Sequence, residues 1–158
     1  MAKAEIKIEG VRRLQERLLR MHDIMTGYLD QALLQVCEEA VTYSKEHKGY
    51  KDHTSNLKNS MSFALFRDGQ LIRMVEGRIP EPDVRPQGQN EVRANLEGYC
   101  NQPGVVAPEG YSLVIAAGMD YGKYVEAKGY SVVYMTKYFL EDELQKAVMD
   151  ALDVAKEA

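Results

Sequence analysis

Apolar residues return at steps of three and four along the first third of the chain. Val11, Leu14, Leu18, Met21 and Met25 form one such stripe, which predicts an amphipathic helix beginning at Val11. Gly27 follows and is expected to separate it from a second helix. There the stripe widens to Leu29, Ala32, Leu33, Val36, Cys37, Ala40 and Tyr43, broad enough to cover a sheet, with an end expected near Gly49. Elsewhere the period is two, or the run is simply apolar. Ile6 and Ile8 alternate with Glu5, Lys7 and Glu9, predicting a short opening strand. Residues 61–66 and 71–75 flank Arg67-Asp68-Gly69-Gln70, and Asp-Gly between two β-favouring runs predicts a hairpin. Leu113 to Ala117, bounded by Gly110 and Gly118, reads as a buried central strand, with a second β-favouring piece from Tyr130 to Tyr134. Leu140, Leu144, Ala147, Val148, Ala151 and Ala155 predict a last helix, with Glu141, Asp142 and Glu143 placed in its first turn.

Residues 77–110 break this rhythm. All five prolines (Pro80, Pro82, Pro86, Pro103, Pro108) and five of the twelve glycines fall there. Proline cannot donate to a central ladder, so the segment is expected to be a long loop joining two strands, with only a weak helical signal from Glu91 to Leu96. The length of 158 residues predicts one domain over 1–158 carrying this insert. The fold class is α+β: an antiparallel sheet packed against a long helix, flanked by N-terminal and C-terminal helices.

Composition narrows the function classes. Apolar residues at 45% and charged residues at 28% are ordinary for a globular protein, and a net charge of −4 argues against a chain devoted to neutralising phosphates. Arg12, Arg13, Arg17 and Arg20 do line the first helix, so a nucleic-acid-binding accessory protein is the alternative reading. Glu16 and Asp23 interrupt that run, however, and no aromatic anchor accompanies it. No cofactor is expected: phosphate-loop and GxSxG patterns are missing, Cys37 and Cys100 lie far apart, and His22, His47 and His53 lack metal-ligand spacing. Asp120 and Glu126 flank two tyrosines and would be the acids of a small enzyme, but a turn at Asp120 and an ion pair of Glu126 with Lys123 or Lys128 explain them better. No catalytic residue is assigned. The N-terminus lacks a signal-peptide core and no run is long enough to span a bilayer, which predicts a soluble chain with no membrane partner.

The tyrosines carry more. There are ten, against three phenylalanines and no tryptophan. Tyr121, Tyr124, Tyr130, Tyr134 and Tyr138 cluster in one stretch, and tyrosine suits a surface that is buried on one side and wet on the other. Within and before this cluster the chain resembles a known family. Ile6-Lys7-Ile8-Glu9-Gly10-Val11, leading into a charged helix, looks like the opening of the siphophage head–tail joining proteins, the neck or tail-completion family with the phage tail-component-like fold. Thr54-Ser55-Asn56-Leu57-Lys58-Asn59-Ser60 resembles that family's Thr-Gly-x-Leu-Arg-x-Ser segment. Tyr121-Gly122-Lys123-Tyr124-Val125-Glu126 is similar to its Tyr-Ala-x-Tyr-Val-Glu segment, before a glycine that here is Gly129. Tyr138-Phe139-Leu140 stands where the family has Pro-Phe-Leu.

The resemblance implies a structural protein without enzymatic activity. It implies a homo-oligomeric ring, with six-fold symmetry among the possibilities, at the junction of capsid portal and tail tube. Connector and tail-tube proteins would be its partners, the virion its destination, and the bacterial cytoplasm its place of assembly. No specific nucleic acid is implied. The tyrosine cluster and the matched segments together point to Tyr121, Tyr124, Val125, Glu126, Tyr130, Leu57 and Lys58 as contact residues.

Overall fold

The computed structural model describes residues 9–51, 56–79, 86–120, 122–130 and 132–158, so the opening strand expected to end at Gly10 lies outside the described residues up to position 8, while Glu9 and Gly10 are helical. Its spine is α1, Glu9–Glu46, an unbroken helix of 38 residues and roughly 57 Å. Gly27 does not divide it. A glycine inside a helix costs about 1 kcal/mol relative to alanine. Here the apolar stripes on either side are in phase, Met25 before and Tyr28 and Leu29 after, so one continuous helix packs both against the same core.

The second long helix, α5 (Thr136–Glu157), runs antiparallel along α1. At one end the ring of Tyr43 stacks on Phe139 with centroids 4.7 Å apart. At the other, Ala158 lies beside Arg13, Arg17 and Met21. Because α5 begins at Thr136, Glu141, Asp142 and Glu143 fall in its second turn rather than the expected first, where the helix dipole has less effect.

Three strands form the sheet: β1 (Met61–Arg67), β2 (Gln70–Val75) and β3 (Tyr111–Ala117), in the antiparallel order β2-β1-β3. Asp68 (φ 51°) and Gly69 (φ 75°) both take the left-handed conformation that a two-residue hairpin turn demands. Phe63 stands opposite Val75 on one side and Ile115 on the other. The central strand is therefore β1, and the run Leu113–Ala117, expected at the centre, forms an edge. Burial of β1 is nearly continuous because both its faces are covered. Phe63 and Leu65 pack with Leu29, Leu33 and Val36 of α1 and with Ala147 and Ala151 of α5. Ala64 and Phe66 meet Leu96 and Cys100 on the opposite side.

Leu96 and Cys100 belong to a helix where a loop was expected. Within 77–110 the chain forms α3, Pro86–Cys100, with proline at the first helical position, where an absent N–H costs nothing. Val92 and Leu96 are fully buried, and α3 sits so close to the end of β3 that a Cβ on Gly118 would fall 2.5 Å from Val92 Cγ1. Asn95 Nδ2 donates to the Gly118 carbonyl (2.8 Å) and to Asp120 Oδ1 (2.9 Å). Glu91 Oε1 accepts the Asp120 N–H at 2.9 Å. The sheet thus lies between the α1–α5 pair and α3. Two short helices, α2 (Asn56–Asn59) and α4 (Gly122–Ala127), occupy the end of the sheet where β1 starts and β3 finishes.

Candidate interaction surfaces

Most of the predicted contact residues fall between Gly122 and Tyr138. Tyr121–Glu126, read as turn and strand, is helical from Gly122, and within the expected strand Tyr130–Tyr134 the described residues, Tyr130 and 132–134, are irregular chain, bends and a turn instead. Gly129 reverses the chain at φ 84°. The Glu126 carboxylate then accepts the backbone N–H groups of Val132 (3.1 Å), Val133 (3.1 Å) and Tyr134 (3.0 Å). A charged acceptor that satisfies three consecutive amides competes directly with strand pairing for that segment. Below it, Leu57, Met61 and Val132 form a small core, against which Val125 packs.

The predicted contact residues separate accordingly. Leu57 is 2% exposed and is packing, covered by the chain itself. Val125 is half-buried above it, and Glu126 is engaged with the loop. Lys58 is half-buried, and its charge, after the larger effect of burial, helps hold the Lys45 amine below its ordinary value. Tyr121 lies outside the described residues. Tyr124 and Tyr130 face outward, and with Tyr134 and Tyr138 they are 48–62% exposed. Lys123 Nζ lies 5.2 Å from the centre of the Tyr124 ring. Tyr134 and Tyr138 meet edge to face at 6.1 Å, with hydroxyls 3.4 Å apart, and that hydroxyl contact pushes Tyr138 above the ordinary tyrosine value.

A second surface escaped the sequence reading. Residues 10–20 of α1 are exposed on every side, so the stripe expected to pack is bare there. Val11, Leu14, Leu18 and Leu19 are 55–59% exposed, because the sheet reaches only the later turns of the helix. On α5, Ala147, Ala151 and Ala155 face inward, while Val148, Met149 and Leu152 are left 37–53% exposed.

One polar knot joins the helix to the sheet. Asp30 of α1 pairs with Arg67 of β1, and the Tyr111 hydroxyl lies 2.6 Å from Asp30 Oδ1 and 3.2 Å from the Thr26 carbonyl. Burial first, and then the bond to Asp30, push Tyr111 up to about 12. Its members are 37 and 81 positions apart, and no local signal links them.

Asp120 and Glu126, the two acids weighed for catalysis, serve different partners: Asp120 holds Asn95 of α3, and Glu126 holds the 132–134 loop. Cys37 is fully buried on the core face of α1, where burial and then Glu38 raise its thiol to about 12. Cys100 is buried beneath β1, and desolvation likewise raises it. Among the described residues, no group of three or more His, Cys, Asp or Glu side chains is placed to hold a metal ion, and no helix is long and apolar enough to cross a membrane. His22 lies beside Asp23, His47 stacks on Tyr43, and His53 lies outside the described residues. Comparison with protein-family models, with curated proteins and with solved structures finds no match to this chain.

Proposed function

We propose that this chain is a structural subunit of a phage or prophage head–tail junction, acting through ring assembly and contacts with connector and tail-tube proteins. The observation that carries this reading is the set of exposed tyrosines between α4 and the first turn of α5: Tyr124, Tyr130, Tyr134 and Tyr138 stand 48–62% in water, and Tyr134 and Tyr138 touch edge to face. Large amphipathic rings exposed in this way gain free energy when a partner covers their faces and leaves their hydroxyls wet. The motif order at Thr54–Ser60 and Tyr121–Glu126 supports the same class. Its mechanism is burial of apolar and aromatic area between subunits, with no bond made or broken.

Sedimentation of the purified chain over a wide concentration range, alone and with candidate connector and tail-tube proteins, tests the proposal. Concentration-dependent oligomers or a stable complex are expected. A chain that stays monomeric at high concentration and binds none of those proteins would remove the reading.

A further inference from the structure

Residues 10–20 of α1 and the outer face of α5 leave apolar side chains in water at two separate places on the molecule, and their charges differ. The arm carries Val11, Leu14 and Leu18 at steps of three and four, in line with Met21 and Met25 of the packed part of the same helix. Arg13, Arg17 and Arg20 follow one edge of that stripe at steps of four and three. Among the described residues none of these three guanidiniums makes an ion pair, whereas Arg12 pairs with Glu16 at 3.3 Å. The arm is therefore an apolar seam with a basic edge, along which Glu16, already paired with Arg12, and Ala158 also lie.

Three occupants of this seam can be weighed by charge. A second arm would set Arg13, Arg17 and Arg20 of two copies along one seam, and like charges flanking a helix pair are destabilising. The tyrosine surface is bordered by Lys123, Lys128 and Lys137, which repel the same edge. The outer face of α5 is the complement. Val148, Met149 and Leu152 form its apolar strip, and α5 as a whole carries six carboxylates against three lysines. Glu141 and Asp142 precede the strip, and Asp153 lies one turn beyond Met149. Asp142 makes no ion pair among the described residues, and the Glu141–Lys137 and Asp153–Lys156 pairs are exposed and weak enough to exchange.

We propose, resting on the assembly reading above, that the arm of one copy docks on the Val148–Leu152 face of α5 in a second copy. The contact is head-to-tail: the donor surface of each subunit differs from its acceptor surface, so contacts propagate and close into a ring when the rotation allows. An arm of 11 residues is roughly 16 Å long, which gives less area than a stable pairwise interface needs. Single contacts are then weak, and closure of the ring supplies the persistence.

Two exposed double variants of the full chain test the contact: Leu14→Asp with Leu18→Asp on the arm, and Val148→Asp with Leu152→Asp on α5. Each alone, with an unchanged circular dichroism spectrum, is expected to sediment as a monomer where the unmodified chain assembles. Mixed together they are expected to form nothing larger than a weak, concentration-dependent heterodimer, because one intact arm meets one intact face and no ring can close. Charge reversal of Arg13 and Arg17 to Glu is expected to abolish assembly, and adding Asp142→Lys and Asp153→Lys to the same chain to restore it. If the arm variants assemble normally while Tyr124→Ser or Tyr138→Ser does not, the arm–α5 contact is overturned and the assembly reading survives. If the unmodified chain neither assembles nor binds junction proteins, both fall. Loss of salt-sensitive duplex binding in Arg13→Glu/Arg17→Glu, with assembly unaffected, would overturn the contact in favour of nucleic acid.

Discussion

Gly118 shows how one missing methyl group places an entire helix. A Cβ there would meet Val92 Cγ1 at 2.5 Å and Val92 Cα at 2.8 Å, and a backbone atom of α3 cannot yield as a side-chain tip can. Gly118→Ala is expected to lower stability by about 1–3 kcal/mol through overpacking, read as a drop in urea midpoint. Glu126 works in the opposite way, by supplying atoms. Removing its carboxylate strands the amides of Val132, Val133 and Tyr134, and Glu126→Ala is expected to cost about 1–3 kcal/mol. A fall below about 0.5 kcal/mol in urea denaturation would mean that water replaces those bonds. Titration offers a further check. Cys37 rises from 9.0 to about 12 on folding, and Tyr111 rises from 10.0 to about 12. Both values are raised, so the stability they confer is complete below pH 9 and is lost as pH climbs from 9 towards 12. Stability measured across that window should decline, and Tyr111→Phe should flatten the part of the decline above pH 10. An identical decline in that variant would remove Tyr111 from the explanation.

Among the elements, α1 departs furthest from its local signals. Gly27 is a helix-weakening residue whose Cβ would meet nothing within 4 Å, so it neither breaks the helix nor serves a close approach. Gly27→Ala is expected to raise stability by about 0.5–1 kcal/mol, and a thermal melt with a higher midpoint would check it. The hairpin was legible because Asp68-Gly69 has a conformational requirement that few other dipeptides meet. The core stripe of α1 and the inward alanines of α5 were legible from periodicity. Helix α3 was not. Its weak stripe is stabilised by Phe66 and Val114 across the sheet, partners that no window of neighbouring residues contains. The edge position of β3 was hidden for the same reason. Its apolar run records burial, and burial on a covered edge reads like burial at the centre.

At the scale of the molecule, the proposed assembly role rests on what the fold leaves uncovered. The tyrosine cluster was visible as composition, but only the folded chain separates its outward rings from the inward Leu57. Tyr124→Ser and Tyr138→Ser should therefore leave the unfolding midpoint nearly unchanged, within about 0.5 kcal/mol, while weakening self-association or partner binding. Equal losses of stability and binding would show that these rings serve the fold instead.

The sequence by itself determined the class of the fold, the hairpin, the inward stripe of α1 from Leu29 to Ala40, the inward alanines of α5 (though not Val148, which belonged to the same expected stripe and is exposed) and the region rich in tyrosine. Each follows from periodicity, turn chemistry or composition, which are properties of neighbouring residues. Only the tertiary structure decided that α1 is continuous, that β1 is central, that Glu126 clamps a loop and that the Val11–Leu18 stripe stays bare. Those depend on which distant surfaces meet. An apolar stripe is written identically whether a sheet, a second helix or another subunit is there to cover it.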